Sequence, residues 1–412
     1  MPNYARAPLF PILASNRALF IMKRVTGKDM TQWSREELIR HIQELEGVIS
    51  GGKRQKKHDK ARPIDFSAYP TRRVAFKLAY FGWKYHGFAS QMSYKDDGSE
   101  SDNPKAPLGN ASVVTVEDVL FEALMRTKLI QSPKTCAYSR CGRTDAGVSS
   151  TGQVIALNVR STKKALPSGE EAISEVEDIS TIACILNRTL PEDIRILAYS
   201  PAGEAFNARF SCIGRKYKYF FSGHGLDIEA MREAASKLVG THDFRHFCRK
   251  DPSKNIQNYQ RIIYSACINL VDEARQFYEF EIHGSAFLYH QVRCTMALLF
   301  LVGAGKERPE VIEHLIKIAA TEQETPKYEM ASEVPLVLYD CFYPKECNLN
   351  FVDLPGNDKH LDGDLYKLWE EHYIKATTVD LVLRGRSTSS FGKSPQLLLA
   401  NHSAIYKPTP PQ

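Results

Sequence analysis

Residues Ser139 to Leu157 of this 412-residue chain read S-R-C-G-R-T-D-A-G-V-S-S-T-G-Q-V-I-A-L. Two arginines, Arg140 and Arg143, precede a carboxylate, Asp145, flanked by Gly142 and Gly147. The run from Gln153 to Val159 behind it is apolar and β-branched, as in a buried strand. A carboxylate on a glycine-flanked loop admits two readings. Thr144 and Asp145 can be turn formers whose oxygens take up nearby N–H groups. Alternatively, an ionised and oriented Asp145 is a nucleophile, and the glycines let a ligand come close to the backbone. Arginines beside it suit phosphate, because a guanidinium offers paired hydrogen bonds in a fixed geometry.

Two other stretches bear on the choice. Phe81 to Phe88 is dense in aromatics, and Lys216-Tyr217-Lys218-Tyr219-Phe220-Phe221 alternates bases with aromatics. Together they offer the stacking surface and charge of an RNA-binding groove, although an aromatic strand equally serves a core. Arg293 lies one turn into an apolar helix expected over Phe287–Gly303. An arginine there requires a partner. Asp145 is the candidate, and the pairing would keep the carboxylate ionised and aimed.

The elements around these residues are those of a globular protein, with 43% hydrophobic and 25% charged residues, a balance that argues against disorder. Strands are expected at Val74–Tyr80, Ile194–Tyr199, Lys216–Phe221, Tyr259–Val271, Gln276–His283 and Leu336–Phe342, the last closing the folded region. Thr115-Val116-Glu117-Asp118 caps a helix. Further helices are expected over Ser180–Leu190, Asp227–Val239 and after Pro309. Residues 93–112 and 161–178 read as surface loops. Strands interspersed with helices, without a Rossmann or P-loop motif, indicate an α+β fold with antiparallel sheet.

The nine cysteines contain no C-x-x-C pair, which speaks for reduced thiols in an intracellular protein and against a zinc site. His242 and His246 stand four apart but find no third ligand nearby. The longest uncharged apolar run, Cys294 to Ala304, is too short to span a bilayer. The net charge of +6 is modest, so its distribution matters more than its sum. Residues 1–28 carry five bases and no acid, open to reading as a mitochondrial presequence, a disordered tail or sequence upstream of a later start. A capping box at Ser34 begins a short amphipathic helix to Ile49. The basic run Lys53–Arg62 reads as a nuclear address, an arm for nucleic acid or a solvated linker.

Several separated motifs, in order, resemble the TruA-type tRNA pseudouridine synthase family over about residues 72–344. They are Gly142-Arg143-Thr144-Asp145-Ala146-Gly147-Val148, Thr151-Gly152-Gln153-Val154, Ala205–Ser211, Arg215–Tyr219, Gly240–Phe244 and Ala286–Arg293. Within the family, Phe287–Gly303, Ser332–Asp340, the helix at 34–49 and the basic run are most similar to the eukaryotic branch acting on tRNA nucleotides 38 and 39, in the anticodon stem-loop. The resemblance implies a pseudouridine synthase fold of two lobes, residues 71–200 and 201–344, with an RNA-binding cleft between them. Residues 1–70 and 345–412 would then be extensions. It implies that Asp145 is the catalytic aspartate, Tyr217 the aromatic that stacks on the target uracil, and Arg293 the partner of Asp145. Arg140, Arg143, Arg209, Arg215 and Lys216 would bind the RNA, with Arg143 helping to extract the base. No cofactor and no metal are expected. The implied partners are tRNA, with other RNA substrates admitted, and a second copy of the chain in a homodimer, with no membrane. Nucleus and cytoplasm are the expected locations, with mitochondria left open by residues 1–28. Many bacterial members carry histidine where this chain has Ser149, which puts any RNA contact there in doubt.

Two other functions compete: an RNA-binding protein or chaperone without catalysis, and a glycosidic hydrolase. The latter needs a second carboxylate beside Asp145, and none stands out in the sequence.

Overall fold

The computed structural model describes residues 64–91, 113–166, 172–249, 256–319, 321, 326–354 and 359–384. The acid-free start, the helix at 34–49, the basic run, the insertion at 93–112 and the chain's last residues lie outside the described residues. From Asp65 onward the chain belongs to one compact unit.

Its strands are β1 (Thr71–Tyr80), β2 (Ser139–Arg140), β3 (Ser149–Arg160), β4 (Ile194–Pro201), β5 (Gly214–Ser222), β6 (Gly240–Asp243), β7 (Gln260–Asp272), β8 (Phe277–Gly284), β9 (Leu336–Phe342) and β10 (Val352–Asp353). They form one sheet in the order β10-β4-β1-β3-β9-β5-β8-β7-β6, with β2 paired to β3. Every pairing is antiparallel except β3 with β9. The described helices are α1 (Val116–Arg126), α2 (Glu175–Thr189), α3 (Ile228–Ser236), α4 (Gln291–Gly303), α5 (Val311–Ile318) and α6 (Lys359–Arg384).

Alternation decides which side chains meet. In β1, Val74, Phe76 and Leu78 face the core that contains Leu120 and Leu124 of α1 and Ile179, Ile182 and Leu186 of α2. Ala75 faces the other side of the sheet, with Val154, Ala156, Phe206 and Leu338. In the second half, Tyr219, Phe221, Phe280 and Ile282 meet Met231, Leu298, Leu299, Ile312 and Leu315. Each such buried side chain contributes about 1.5–3 kcal/mol. α4 is buried at every position after Arg293, which accounts for its unbroken apolar sequence.

The two halves join at the parallel pairing of Ser149 with Val337 and Ser150 with Leu338. Side chains reinforce this short seam. Ser150 Oγ donates to the Leu338 carbonyl at 2.7 Å, and Thr151 Oγ1 to the Tyr339 carbonyl at 3.1 Å.

Two expectations need correction. The helix expected from Phe287 begins at Gln291, because His290 takes a left-handed backbone and ends any continuation of the helix towards the N-terminus. The folded region also continues past Phe342. β10 pairs with β4, and α6 inserts Leu361 into the first core. Asp364 of α6 forms an ion pair with the buried Arg195.

Candidate active site

Asp145 sits on the loop between β2 and β3, at the edge of a cleft of about 950 Å³, near the upper end of the ~300–1,000 Å³ usual for ligand sites. The loop is shaped by a turn in which Val148 N–H donates to the Asp145 carbonyl at 3.2 Å, with Gly147 third at φ +79°. That position favours glycine in a type II turn.

A second loop clamps the first. Gly147 N–H donates to the Tyr85 carbonyl at 3.1 Å, and Phe88 N–H to the Thr144 carbonyl at 3.1 Å. Gly87 lies between them at φ +94°, where a Cβ would stand 3.0 Å from the Thr144 carbonyl oxygen. Tyr80 and Thr144 share a hydroxyl hydrogen bond of 2.8 Å. The aromatic loop is therefore chiefly a brace and less a stacking surface. Tyr85 and Phe88 are buried, and the exposed Trp83 stands edge-on to His372. Ser149 is also part of the brace: buried, its hydroxyl accepts from Gly82 N–H at 3.0 Å. That geometry leaves it no place as an RNA contact.

The opposite wall comes from β5 and the start of α4. Tyr217 lines the cleft and meets Phe287 edge-to-face, with ring centroids 5.0 Å apart. Burial pushes its phenol well above the usual tyrosine range, so the ring stays neutral at physiological pH. Arg293 lines the cleft, but its ion pair is with Glu333 at 2.8 Å, and its Nε donates to the Ala331 carbonyl at 2.8 Å. On the same wall His290 also reaches Asp145, its Nε2 lying 3.4 Å from Asp145 Oδ2. The carboxylate paired with Arg293 is thus Glu333, where Asp145 was expected. Glu333 in turn lies against the Asp145 loop, its Cγ 2.5 Å from where a Cβ on Gly147 would stand.

The RNA-binding candidates divide. Arg140, Arg143, Arg209 and Arg215 all line the cleft, and Arg261, which the sequence did not single out, joins them. Arg140 is paired with the buried Glu117, so much of its charge is already compensated. Arg143 and Arg209 are exposed at the cleft. Arg215 is a staple: it donates to the carbonyls of Ser285 at 2.9 Å, Cys141 at 3.2 Å and Arg209 at 3.2 Å. Lys216 is not among the cleft-lining residues. One place from Tyr217 on a strand, it points to the opposite face, where it binds Glu281 at 3.0 Å.

The cleft thus presents six arginines against two carboxylates, Asp145 and Glu333, a field that concentrates polyanions. The described residues contain no group of three or more His, Cys, Asp or Glu placed to hold a metal ion, and no helix long and apolar enough to cross a membrane.

A family model described as tRNA pseudouridine synthase matches residues 234–344. The tRNA pseudouridine(38/39) synthase of Bos taurus is 40% identical over 389 residues, covering 87% of this chain and 76% of that protein. The chain belongs to the tRNA pseudouridine synthases. The tRNA pseudouridine(38/39) synthase of Saccharomyces cerevisiae is 43% identical over 348 residues, covering 78% of this chain and 74% of that protein. The tRNA pseudouridine synthase A of Methanosarcina mazei is 34% identical over 234 residues, covering 57% and 71%. Membership in the family accords with the α+β sheet and helices described above.

Glu333, His290 and Arg261 were not assigned from sequence. His290 and Glu333 lie within motifs that resemble the family, but only the fold shows what they face. Arg261 had no signal, being one base in a strand of mixed character.

Proposed function

We propose that this chain isomerises uridine to pseudouridine in tRNA, at nucleotides 38 and 39 of the anticodon stem-loop, with Asp145 as the nucleophile. What supports the reading most is a single observation: Asp145 projects from a braced turn into an arginine-lined cleft, in a chain about 40% identical to tRNA pseudouridine(38/39) synthases.

The N1–C1′ bond of the uridine breaks, the uracil turns, and C5 bonds to C1′. The C5 proton is released and N1 gains one, so product and substrate have the same composition. An isomerisation of this kind needs no electron acceptor and no group donor. Asp145 acts by attack on the sugar or on the base, and each route begins from the ionised carboxylate. Extraction of the uridine from its stack costs a few kcal/mol, offset by contacts elsewhere. Arg143 and Arg209 hold the backbone, and the neutral ring of Tyr217 stacks on the uracil. Phe210, 80% exposed, adds an aromatic face next to Arg209, whose guanidinium lies 5.4 Å from its ring centroid. Glu333, the other carboxylate lining the cleft, is engaged by Arg293 at 2.8 Å. The enzyme acts as a homodimer in nucleus and cytoplasm.

Asp145→Asn, assayed on an unmodified tRNA transcript, tests the assignment. Pseudouridine formation should be lost while tRNA affinity stays within about twofold, because the arginines supply most of it. Product at the wild-type rate would remove Asp145 from the chemistry. Salt-sensitive tRNA binding by the wild-type chain without any product would favour a binding protein instead.

A further inference from the structure

We propose that His290 is a positioning residue for Asp145, holding one carboxylate oxygen through Nε2 and owing its own placement to a left-handed backbone. The proposal rests on the reading of Asp145 as nucleophile.

His290 has φ +62° and ψ 11°, a region in which side-chain-bearing residues are uncommon. Such a conformation persists where its surroundings over-determine it, and those places are often functional. Here the surroundings do so. Ser285 N–H donates to the Ile262 carbonyl at 2.9 Å, and the Ser285 carbonyl accepts from Arg215 at 2.9 Å. Leu288 N–H donates to Gln291 Oε1 at 2.7 Å. Arg249 N–H donates to the Tyr289 carbonyl at 3.1 Å, and Cys294 N–H to the His290 carbonyl at 3.0 Å. The turn from β8 into α4 is pinned at each end.

Glycine would occupy this position without strain, so the histidine side chain must supply something the backbone does not. It does not cap the helix, for no cap hydrogen bond comes from its side chain. The imidazole instead stacks on Tyr289, with ring centroids 3.7 Å apart and planes 27° apart, and presents Nε2 to Asp145 Oδ2 at 3.4 Å. At that separation the contact is long, as hydrogen bonds at catalytic groups often are before substrate binds. Arg293, one turn further along, is committed to Glu333. Holding Oδ2 restricts rotation of the carboxylate that meets the uridine.

The test uses the full chain on unmodified tRNA transcript. His290→Asn keeps a residue that tolerates the left-handed region but lacks the reach of Nε2. His290→Gln restores an amide donor at about that reach. His290→Gly removes the ring and the strain together, so it folds even if Asn does not. The expected result is a fall in kcat of about 10- to 100-fold for Asn and Gly, with KM and tRNA affinity within twofold, and partial recovery with Gln. Wild-type kcat in both Asn and Gly variants would overturn the proposal, as would a loss confined to KM or melting temperature. A wild-type chain that forms no pseudouridine overturns the underlying reading itself, and this proposal with it.

Discussion

The two walls of the cleft are built by different means. The wall carrying Asp145 is held chiefly by main-chain bonds: Gly147 to Tyr85, Phe88 to Thr144, Val148 to Asp145. Its coding lies in glycines, at the positions where Gly87 and Gly147 take positive φ. The wall carrying Tyr217, His290 and Arg293 is held by side chains: Arg215 on three carbonyls, Gln291 on Leu288, Arg293 on Glu333. A main-chain wall fails when a side chain is added. A side-chain wall fails when one is shortened. Substitutions of opposite kinds should therefore be damaging on the two sides.

The largest effect is expected at Arg215, which ties the walls together. Arg215→Lys retains the charge but cannot reach three carbonyls at once. Losing two hydrogen bonds from a charged donor should cost about 3 kcal/mol, measurable by denaturant unfolding, with activity falling in parallel. Unchanged stability would mean that the β3–β9 pairing alone joins the halves.

Gly147→Ala attacks the main-chain wall. It introduces strain at φ +79° and a Cβ 2.5 Å from Glu333 Cγ. A destabilisation of about 1–2 kcal/mol should accompany a kcat loss of about tenfold in the same assay. Alanine tolerated in both measurements would show that the loop is not fixed by its backbone. Glu333→Gln is milder. It keeps the shape but releases Arg293 from its carboxylate, and kcat should fall by a few-fold with tRNA affinity slightly raised as a negative charge leaves the cleft. The smallest effect separates bases inside the cleft from those outside. Arg209→Ala should lower the slope of log affinity against log salt by about 1, whereas Lys216→Ala should leave it unchanged. Equal slopes for both would place RNA on the far face of the sheet.

Much of the sheet was readable because alternation reports burial directly. The expected strands and the capped helix α1 fall within a few residues of their observed bounds. The same alternation separates Lys216 from Tyr217 on opposite faces of the strand. Other features have no local signature. Arg293 was bound to need a carboxylate, but whether that was Asp145 or Glu333 depends on how the chain after α5 returns to the sheet. The left-handed His290 could not be read at all: nothing in Leu288-Tyr289-His290-Gln291 distinguishes a turn from the first residues of a helix. The conformation is imposed by Arg249, Ile262 and Gln291 from outside the residue itself. Glycine is legible as a loop marker, but the aromatic loop that clamps it resembles a binding surface in sequence, although Tyr85 and Phe88 are buried.

The placement of β9 has a consequence for how the protein is made. Residues 336–342 lie between β3 and β5 in the sheet, although they are synthesised long after both. Until they emerge, a growing chain lacks the β3–β9 pairing that joins its halves. Glu333, which secures Arg293, arrives only just before. A polypeptide interrupted between α4 and β9 carries Asp145, Tyr217 and His290 but lacks the strand that lies between β3 and β5. Translation thus completes the sheet only when nearly the whole fold has been supplied.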